Sequence, residues 1–282
     1  MQIYVNDIEI DVKLEDEQTV ADVMRGIEPW LVTGWHALVG VQADGAVIER
    51  DAWVGTPLSG VDRLAIQARD LRSERITGLQ TVVEYLELAG RVLAEGNDAQ
   101  VAEVLAEHAA IDSGLTALAP DLAGLVASAI EPSSESQAGS PERNEAVQRI
   151  ERLRTIVVSR VRELSDPVAE TRATLPLLSS LVQSFEQIPS MLQTGAGAEA
   201  MLAISRFTEL AARIVRMLPL LALERPALDA AAAGQTIGAI NEQLAELETA
   251  FGAGDYVLIG DVLEYELMPR FEELSAMLAG AL

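Results

Sequence analysis

The spacing of the apolar residues changes once along the chain, near residue 71, and this change constrains the fold more than any other feature. Before it, apolar and polar residues alternate, as around Ile8 and Ile10, and a period of two is typical of β-strands. After it, apolar residues recur three and four positions apart, as in Leu79, Val82 and Leu86, which is typical of amphipathic helices. The sequence therefore predicts an α+β fold, with a small N-terminal strand-rich domain followed by a large all-α helical-bundle region.

The strand-rich part carries recognisable turn and helix-start signals. Asn6-Asp7 separates two alternating runs, which predicts a β-hairpin, since these residue types tolerate a positive φ. Thr19, with an acid three residues later, predicts the start of a helix, and Pro29 is expected to mark its end. Further strands are predicted at residues 37–42, 46–48 and 64–68.

All the tryptophans of the chain, Trp30, Trp35 and Trp53, fall within this N-terminal part. A small domain needs bulky side chains to fill its core, so we expect the three to be core residues. An exposed aromatic patch that contacts a partner is the alternative.

The order of these elements carries a resemblance to a known family. A hairpin, one helix and two or three more strands form the element order of a β-grasp, and residues 1–71 resemble ubiquitin-like and sulfur-carrier-like domains. Active carriers of that group end in a flexible Gly-Gly tail whose carboxylate is activated. Here the last strand leads through Asp70 and Leu71 directly into a helical pattern. The resemblance therefore implies an interaction or docking domain and not a carrier.

The rest of the chain divides by composition. Residues 72–130 predict a helical hairpin region, with a break at Gly96-Asn97-Asp98. Residues 131–141 are rich in Ser, Glu and Pro and predict a flexible linker. Residues 142–282 return to helical periodicity and predict an α-helical bundle.

The C-terminal end predicts two amphipathic helices joined at residues 252–255. Residues 254–269 resemble a terminal hairpin of uncharacterised bacterial helical proteins, some of them associated with motility loci. We expect this hairpin to bury Tyr256, Val257, Ile259, Leu263, Leu267 and Phe271. Its acidic surface is the predicted contact surface for a partner, formed by Tyr256, Asp261, Glu264, Tyr265 and Glu266.

Net charge and cysteine content exclude several classes of function. The chain has 44 acidic residues against 20 Lys and Arg, a formal net charge of -24, which would repel nucleic acids and anionic membrane surfaces. Cysteine is absent, which excludes disulfides and thiolate chemistry and fits a reducing compartment. Uncharged runs are too short for membrane insertion, and the first ten residues have no signal-peptide pattern, so the cytoplasm is the expected location.

Motifs for bond-making chemistry are not found. The histidines are His36 and His108, and Leu105 occupies the position at which a Glu-x-x-His metal motif would need Glu. Phosphate-binding loops and nucleophile motifs are also absent. We therefore predict no catalytic, cofactor-binding or metal-binding residues.

The predicted function is that of a non-enzymatic protein-binding adaptor, scaffold or export-chaperone-like protein of the bacterial cytoplasm. Amphipathic helical bodies can hold partners through apolar grooves, and exposed apolar stripes make a homodimer plausible. One alternative is a metal-dependent enzyme with a carboxylate site at Asp261 and Glu264. The other is a structural protein that assembles with itself.

Overall fold

A computed structural model of the chain describes residues 1–130 and 140–282. The chain divides into two compact units, Met1–Val157 and Val158–Leu282. A five-stranded sheet with one α-helix between its strands opens the first unit, and from Leu71 onward the described chain is mainly helical. The predicted α+β class is therefore confirmed.

The strands are β1 (Gln2–Val5), β2 (Ile8–Ile10), β3 (His36–Ala43), β4 (Ala46–Val47) and β5 (Arg63–Asp70). The sheet combines parallel and antiparallel pairs in the order β2-β1-β5-β3-β4. β1 pairs with β2 and β3 pairs with both β4 and β5 in antiparallel fashion, whereas β1 and β5 are parallel. A parallel pair needs a crossover, and the long connection from β1 to β5 supplies it.

The predicted turn at Asn6-Asp7 is confirmed, and the Asn6 side chain also ties the hairpin to β5. Both residues have positive φ, 48° and 65°, as a two-residue type I′ turn requires. The Asn6 amide donates to the Ala68 carbonyl and accepts from the Ala68 N–H, each at 2.8 Å. These bonds extend the β1–β5 pairing beyond the last residue of β1.

Helix α1 (Val20–Thr33) packs its apolar side on the sheet. Thr19 and Asp22 form the capping box that the sequence predicts. The expectation that Pro29 ends this helix is wrong, because the helix continues to Thr33. Leu31, which is fully buried, explains the continuation, since its burial offsets the one backbone hydrogen bond that proline removes.

The tryptophans do not share one environment. Trp53 is buried in the core, and its indole N–H donates to the Ile48 carbonyl at 3.2 Å. Trp35 is half-buried with a φ of 59°, and the Arg75 guanidinium lies 5.9 Å from its ring centroid. Trp30 is 56% exposed, so the expectation that all three are core residues is wrong. The core is filled mainly by aliphatic residues of α1 and the sheet, including Met24, Leu64 and Ile66.

Strand β5 passes directly into the helical part of the first unit. Asp70 is the last residue of the strand and the N-cap of the next helix, accepting from the Arg72 and Ser73 N–H groups. The predicted break at residues 96–98 is confirmed by a capping box of Asn97 with Gln100. The helices are α2 (Leu71–Glu95), α3 (Asp98–Leu105), α4 (His108–Leu118) and α5 (Leu125–Ile130). Most of the predicted linker, residues 131–139, lies outside the described residues.

Seven further helices follow Ser140 in the described chain. They are α6 (Pro141–Ser165), α7 (Pro167–Ser184), α8 (Ile188–Gln193), α9 (Gly197–Glu224), α10 (Ala230–Ala253), α11 (Tyr256–Asp261) and α12 (Met268–Ala281). The second unit has a continuous apolar core in which Phe207 lies edge-on between Phe185 and Phe271, with ring centroids 4.8 and 4.4 Å apart. Among the described helices, none combines the length and apolar character that crossing a membrane requires.

Candidate functional site

The turn between α10 and α11 sets the direction of the C-terminal hairpin. Gly254 has a φ of 66°, a left-handed conformation that favours glycine, and its N–H donates to the Ala250 and Phe251 carbonyls. Asp255 then caps α11, with its carboxylate accepting from the Leu258 N–H at 3.0 Å. The predicted joint at residues 252–255 is therefore confirmed.

A π-helical segment, Val262–Leu267, separates α11 from α12. The Met268 N–H donates to the Leu263 carbonyl, five residues earlier, where an α-helix would use the carbonyl four residues earlier. Pro269 follows at once, and because proline has no N–H, it cannot donate to the carbonyl of Tyr265, four residues earlier. Single π turns of this kind are frequent at functional sites. This one carries Glu264, Tyr265 and Glu266, three of the residues predicted to contact a partner.

The structure places all five predicted contact residues on the exposed side of the hairpin. Tyr256 is 45% exposed and Tyr265 is 65% exposed, and the three carboxylates are exposed as well. Val257 is 72% exposed. We name this surface the tyrosine face and define it as Tyr256, Val257, Asp261, Glu264, Tyr265 and Glu266.

The buried side of the hairpin is only partly as predicted. Ile259, Leu263, Leu267 and Phe271 are buried in the core of the second unit. Tyr256 and Val257 were expected there and are exposed instead. For Val257 helical geometry supplies the reason, since it lies about 200° around the helix from Ile259, on the opposite side.

Carboxylates dominate the electrostatics of the tyrosine face. The neighbouring Glu264 carboxylate, which also accepts a hydrogen bond from the Tyr265 hydroxyl, raises the pKa of Tyr265, and Asp261 adds to the effect. Arg270 lies 3.5 Å from Glu266 and balances part of this charge. The face thus combines two exposed aromatic rings and an exposed valine with three carboxylates.

The geometry also bears on metal binding. Within residues 1–130 and 140–282, no three histidine, aspartate or glutamate side chains come close enough together to hold a metal ion. His36 and His108 each place Nδ1 2.6 Å from a nearby backbone carbonyl, of Gly34 and Leu105 respectively. Asp261 and Glu264 share a helix face, but the described chain brings no third ligand to them.

A buried charge cluster in the second unit was not anticipated from the sequence. Glu163, near the end of α6, is only 4% exposed. Arg216 binds it with two hydrogen bonds, of 2.9 and 3.1 Å, and Arg160 donates at 3.2 Å. Arg213 lies 3.4 Å from Glu163 and also pairs with Glu170 of α7. The cluster therefore joins α6, α7 and α9 through charged groups.

Burial has the largest effect on the protonation of Glu163. Desolvation raises the pKa of Glu163 from 4.5 to about 6, and the positive charges of Arg160 and Arg213 offset part of that rise. The spacing of Arg160 and Glu163, and of Arg213 and Arg216, is visible in the sequence. The sequence does not show that α6 and α9 meet, because the two pairs are about fifty residues apart.

Two family models match parts of the chain. The model named TP0873 N-terminal domain matches residues 1–70, which run from β1 to the end of β5. A model of a domain of unknown function, DUF8042, matches residues 170–277, which hold the whole tyrosine face. Residues 1–70 and residues 170–277 of the chain are thus similar to two different domain families. Comparisons with curated proteins and with solved structures gave no match.

Proposed function

We propose that this chain is a non-enzymatic protein-binding adaptor, scaffold or export-chaperone-like protein of the bacterial cytoplasm, and that the tyrosine face contacts its partner. The observation that carries the proposal is the exposure of Tyr256, Val257 and Tyr265 on a hairpin whose other side is fully packed. Tyrosine is enriched at protein interfaces, because a rigid ring with a polar tip gains contact area with little loss of entropy.

The charge of the face specifies the chemistry of the partner. Asp261, Glu264 and Glu266 lie beside the exposed rings, and the chain as a whole carries a net charge of -24. Such a surface steers positively charged proteins toward it and repels acidic ones. The partner we propose therefore presents a basic surface with an apolar centre, and its binding weakens as salt is added.

The N-terminal domain supports the same class of function. We propose that residues 1–71 are a β-grasp domain, supported by the strand order β2-β1-β5-β3-β4, the parallel β1–β5 pair and a helix between β2 and β3. Asp70 ends β5 and at the same time caps α2, so the end of the last strand is held in a helix start. This favours a docking role over a carrier role, which needs a free tail.

Capture from a lysate of the source organism tests the proposal. The full chain, a Tyr256→Ser/Tyr265→Ser variant and a Val215→Ser control are immobilised, and retained proteins are quantified by mass spectrometry. Val215 is also an exposed apolar residue of the second unit but lies on α9. We expect a basic protein that the wild type and the control retain at about 0.15 M salt and that the double variant loses. Equal retention by all three proteins would contradict the proposal.

Proteins of motility loci are the first class to examine among the captured proteins, because of the resemblance of residues 254–269.

We also propose that the chain forms a homodimer, supported by the exposed Met201 and Leu202 at the start of α9. Light scattering would show a mass of twice the monomer, which Met201→Ser/Leu202→Ser would return to the monomer. Growth beyond a dimer with concentration would instead favour a self-assembling protein.

A further inference from the structure

A second surface of the chain has the features of a binding groove. It lies in the N-terminal domain, between α1 and the segment formed by β2 and the residues that follow it, and has a volume of about 780 Å³. Its apolar lining comes from both sides and consists of Ile10, Val12, Leu14, Val23, Ile27 and Trp30. The hairpin and the tyrosine face belong to the other unit, so this groove is a separate feature.

The helix side of the groove is open at its centre. Val23, Gly26, Ile27 and Trp30 are spaced three and four positions apart and therefore share one face of α1. Val23 and Ile27 are buried, whereas more than half of Trp30 remains exposed at one end. Gly26 lies between them, and a Cβ atom added there would meet no other atom within 4 Å. The lack of a side chain at this position leaves room for a ligand side chain.

The strand side of the groove begins at the edge of the sheet with Ile10 of β2 and continues through the residues that follow β2. β2 is the first strand in the order β2-β1-β5-β3-β4, so its outer edge pairs with no other strand of this sheet. In a hairpin closed by a two-residue turn, Val5 and Ile8 form the first hydrogen-bonded pair, and the backbone groups of Glu9 then point away from β1. An edge of this kind can accept a further strand from another chain.

The rim of the groove is acidic. Asp11, Asp16, Glu17 and Asp22 line it together with Arg25, and Arg25 lies 3.3 Å from Asp22. Asp22 is also held by the capping box with Thr19. Asp11 and Asp16 are exposed and lie before and after the segment that contributes Val12 and Leu14 to the lining. Positive charges at the ends of a ligand would therefore lie near carboxylates.

We infer that this groove binds an extended segment of a partner protein, with alternating apolar side chains and with Lys or Arg at its ends. The segment adds as a strand to the free edge of β2, and its inward side chains lie against Trp30 and over Gly26. The basic ends pair with Asp11 and Asp16. This is a second binding site beyond the proposed function of the tyrosine face.

A synthetic peptide provides the test. The probe is a labelled peptide of about six residues with alternating Val and Thr and with Arg at both ends, a length that matches a typical strand. Two matched peptides have Glu at the ends, or Pro at the centre to remove a backbone N–H. Binding to the full chain is measured by fluorescence anisotropy.

The chain offers a variant that blocks the groove without disturbing the fold. Gly26→Leu places a side chain in open space and replaces glycine inside a helix, so the protein should fold at least as well as the wild type. Gly238→Leu is the matched control, because Gly238 is an exposed glycine of α10 with equally open surroundings. A Tyr265→Ser variant separates this site from the tyrosine face.

The expected result is that the wild type, Gly238→Leu and Tyr265→Ser bind the Arg-ended peptide equally, and that Gly26→Leu binds it at least about tenfold more weakly. Asp11→Asn/Asp16→Asn should weaken binding and reduce its dependence on salt. The Glu-ended and Pro-containing peptides should bind the wild type more weakly than the Arg-ended peptide.

The inference is wrong if the wild type does not bind the Arg-ended peptide, if Gly26→Leu binds it normally, or if both charged peptides bind equally. It is also wrong if Gly26→Leu changes the oligomeric state, because the groove would then be a contact between copies of the chain.

Discussion

Replacing Glu163 by Gln should make the stability of the second unit less sensitive to pH. Burial raises the folded-state pKa of Glu163 from 4.5 to about 6, so the folded state favours the protonated carboxyl. An acid with a raised pKa contributes stability that is fully present below its unfolded pKa and is lost as the pH rises through its folded pKa. The total loss, from well below pH 4.5 to well above pH 6, is about 2 kcal/mol, because the pKa is raised by about 1.5 units and one unit corresponds to about 1.4 kcal/mol. About 1 kcal/mol of this falls between pH 5 and pH 8.

The assay is urea unfolding followed by circular dichroism at several pH values within that range, which keeps the acidic chain above its isoelectric point. The tryptophans all lie in the N-terminal domain, so their fluorescence reports a region that the substitution should leave unchanged. Glu209→Gln, which removes an exposed carboxylate of α9, controls for the change in net charge. Relative to the wild type, Glu163→Gln should gain about 1 kcal/mol from pH 5 to pH 8, and Glu209→Gln should gain little. If the wild type instead gains stability over Glu163→Gln as the pH rises, the three arginines outweigh burial and the reasoning is refuted.

Two further predictions concern the packing and the turn of the second unit. Phe207→Ala should lower the free energy of unfolding of this unit by about 3–5 kcal/mol, because Phe207 is fully buried between two other rings. Val215→Ala on the exposed side of α9 should change it by less than about 0.5 kcal/mol, and similar effects of both substitutions would contradict the assigned core. Asp255→Ala should lower the free energy of unfolding, measured with urea, by about 1 kcal/mol through loss of the α11 N-cap. Asp255→Asn should keep most of that stability, because the Asn side chain can also accept the Leu258 N–H bond. An equal loss in both variants would show that the charge and not the cap is responsible.

Local signals in the sequence predicted the change from strands to helices and several turns. Asn6-Asp7, the Thr19 capping box and the Gly254-Asp255 joint each depend on residues close together in the chain, so their chemistry could be read directly. The same reasoning failed at Pro29, where burial of Leu31 in the tertiary structure decides where the helix ends.

Features that depend on distant contacts could not be predicted in this way. Trp30 lies at the edge of the core-facing side of α1 and is exposed there, which the residue type does not reveal. The Glu163 cluster needs α6, α7 and α9 to meet, and no local pattern states that they do. The acidic residues of the tyrosine face could be named from composition, whereas the exposure of Val257 depends on where α11 begins.

The central claim, that the tyrosine face is a protein-binding surface, is tested most directly by hydrogen–deuterium exchange of the full chain with and without a captured basic partner. Backbone amides exchange more slowly where a partner covers them or stabilises the local structure. We predict that protection appears in peptides covering residues 255–267, with α9 residues around Val215 unchanged. Protection that leaves residues 255–267 unaffected and appears elsewhere in the chain would contradict the account.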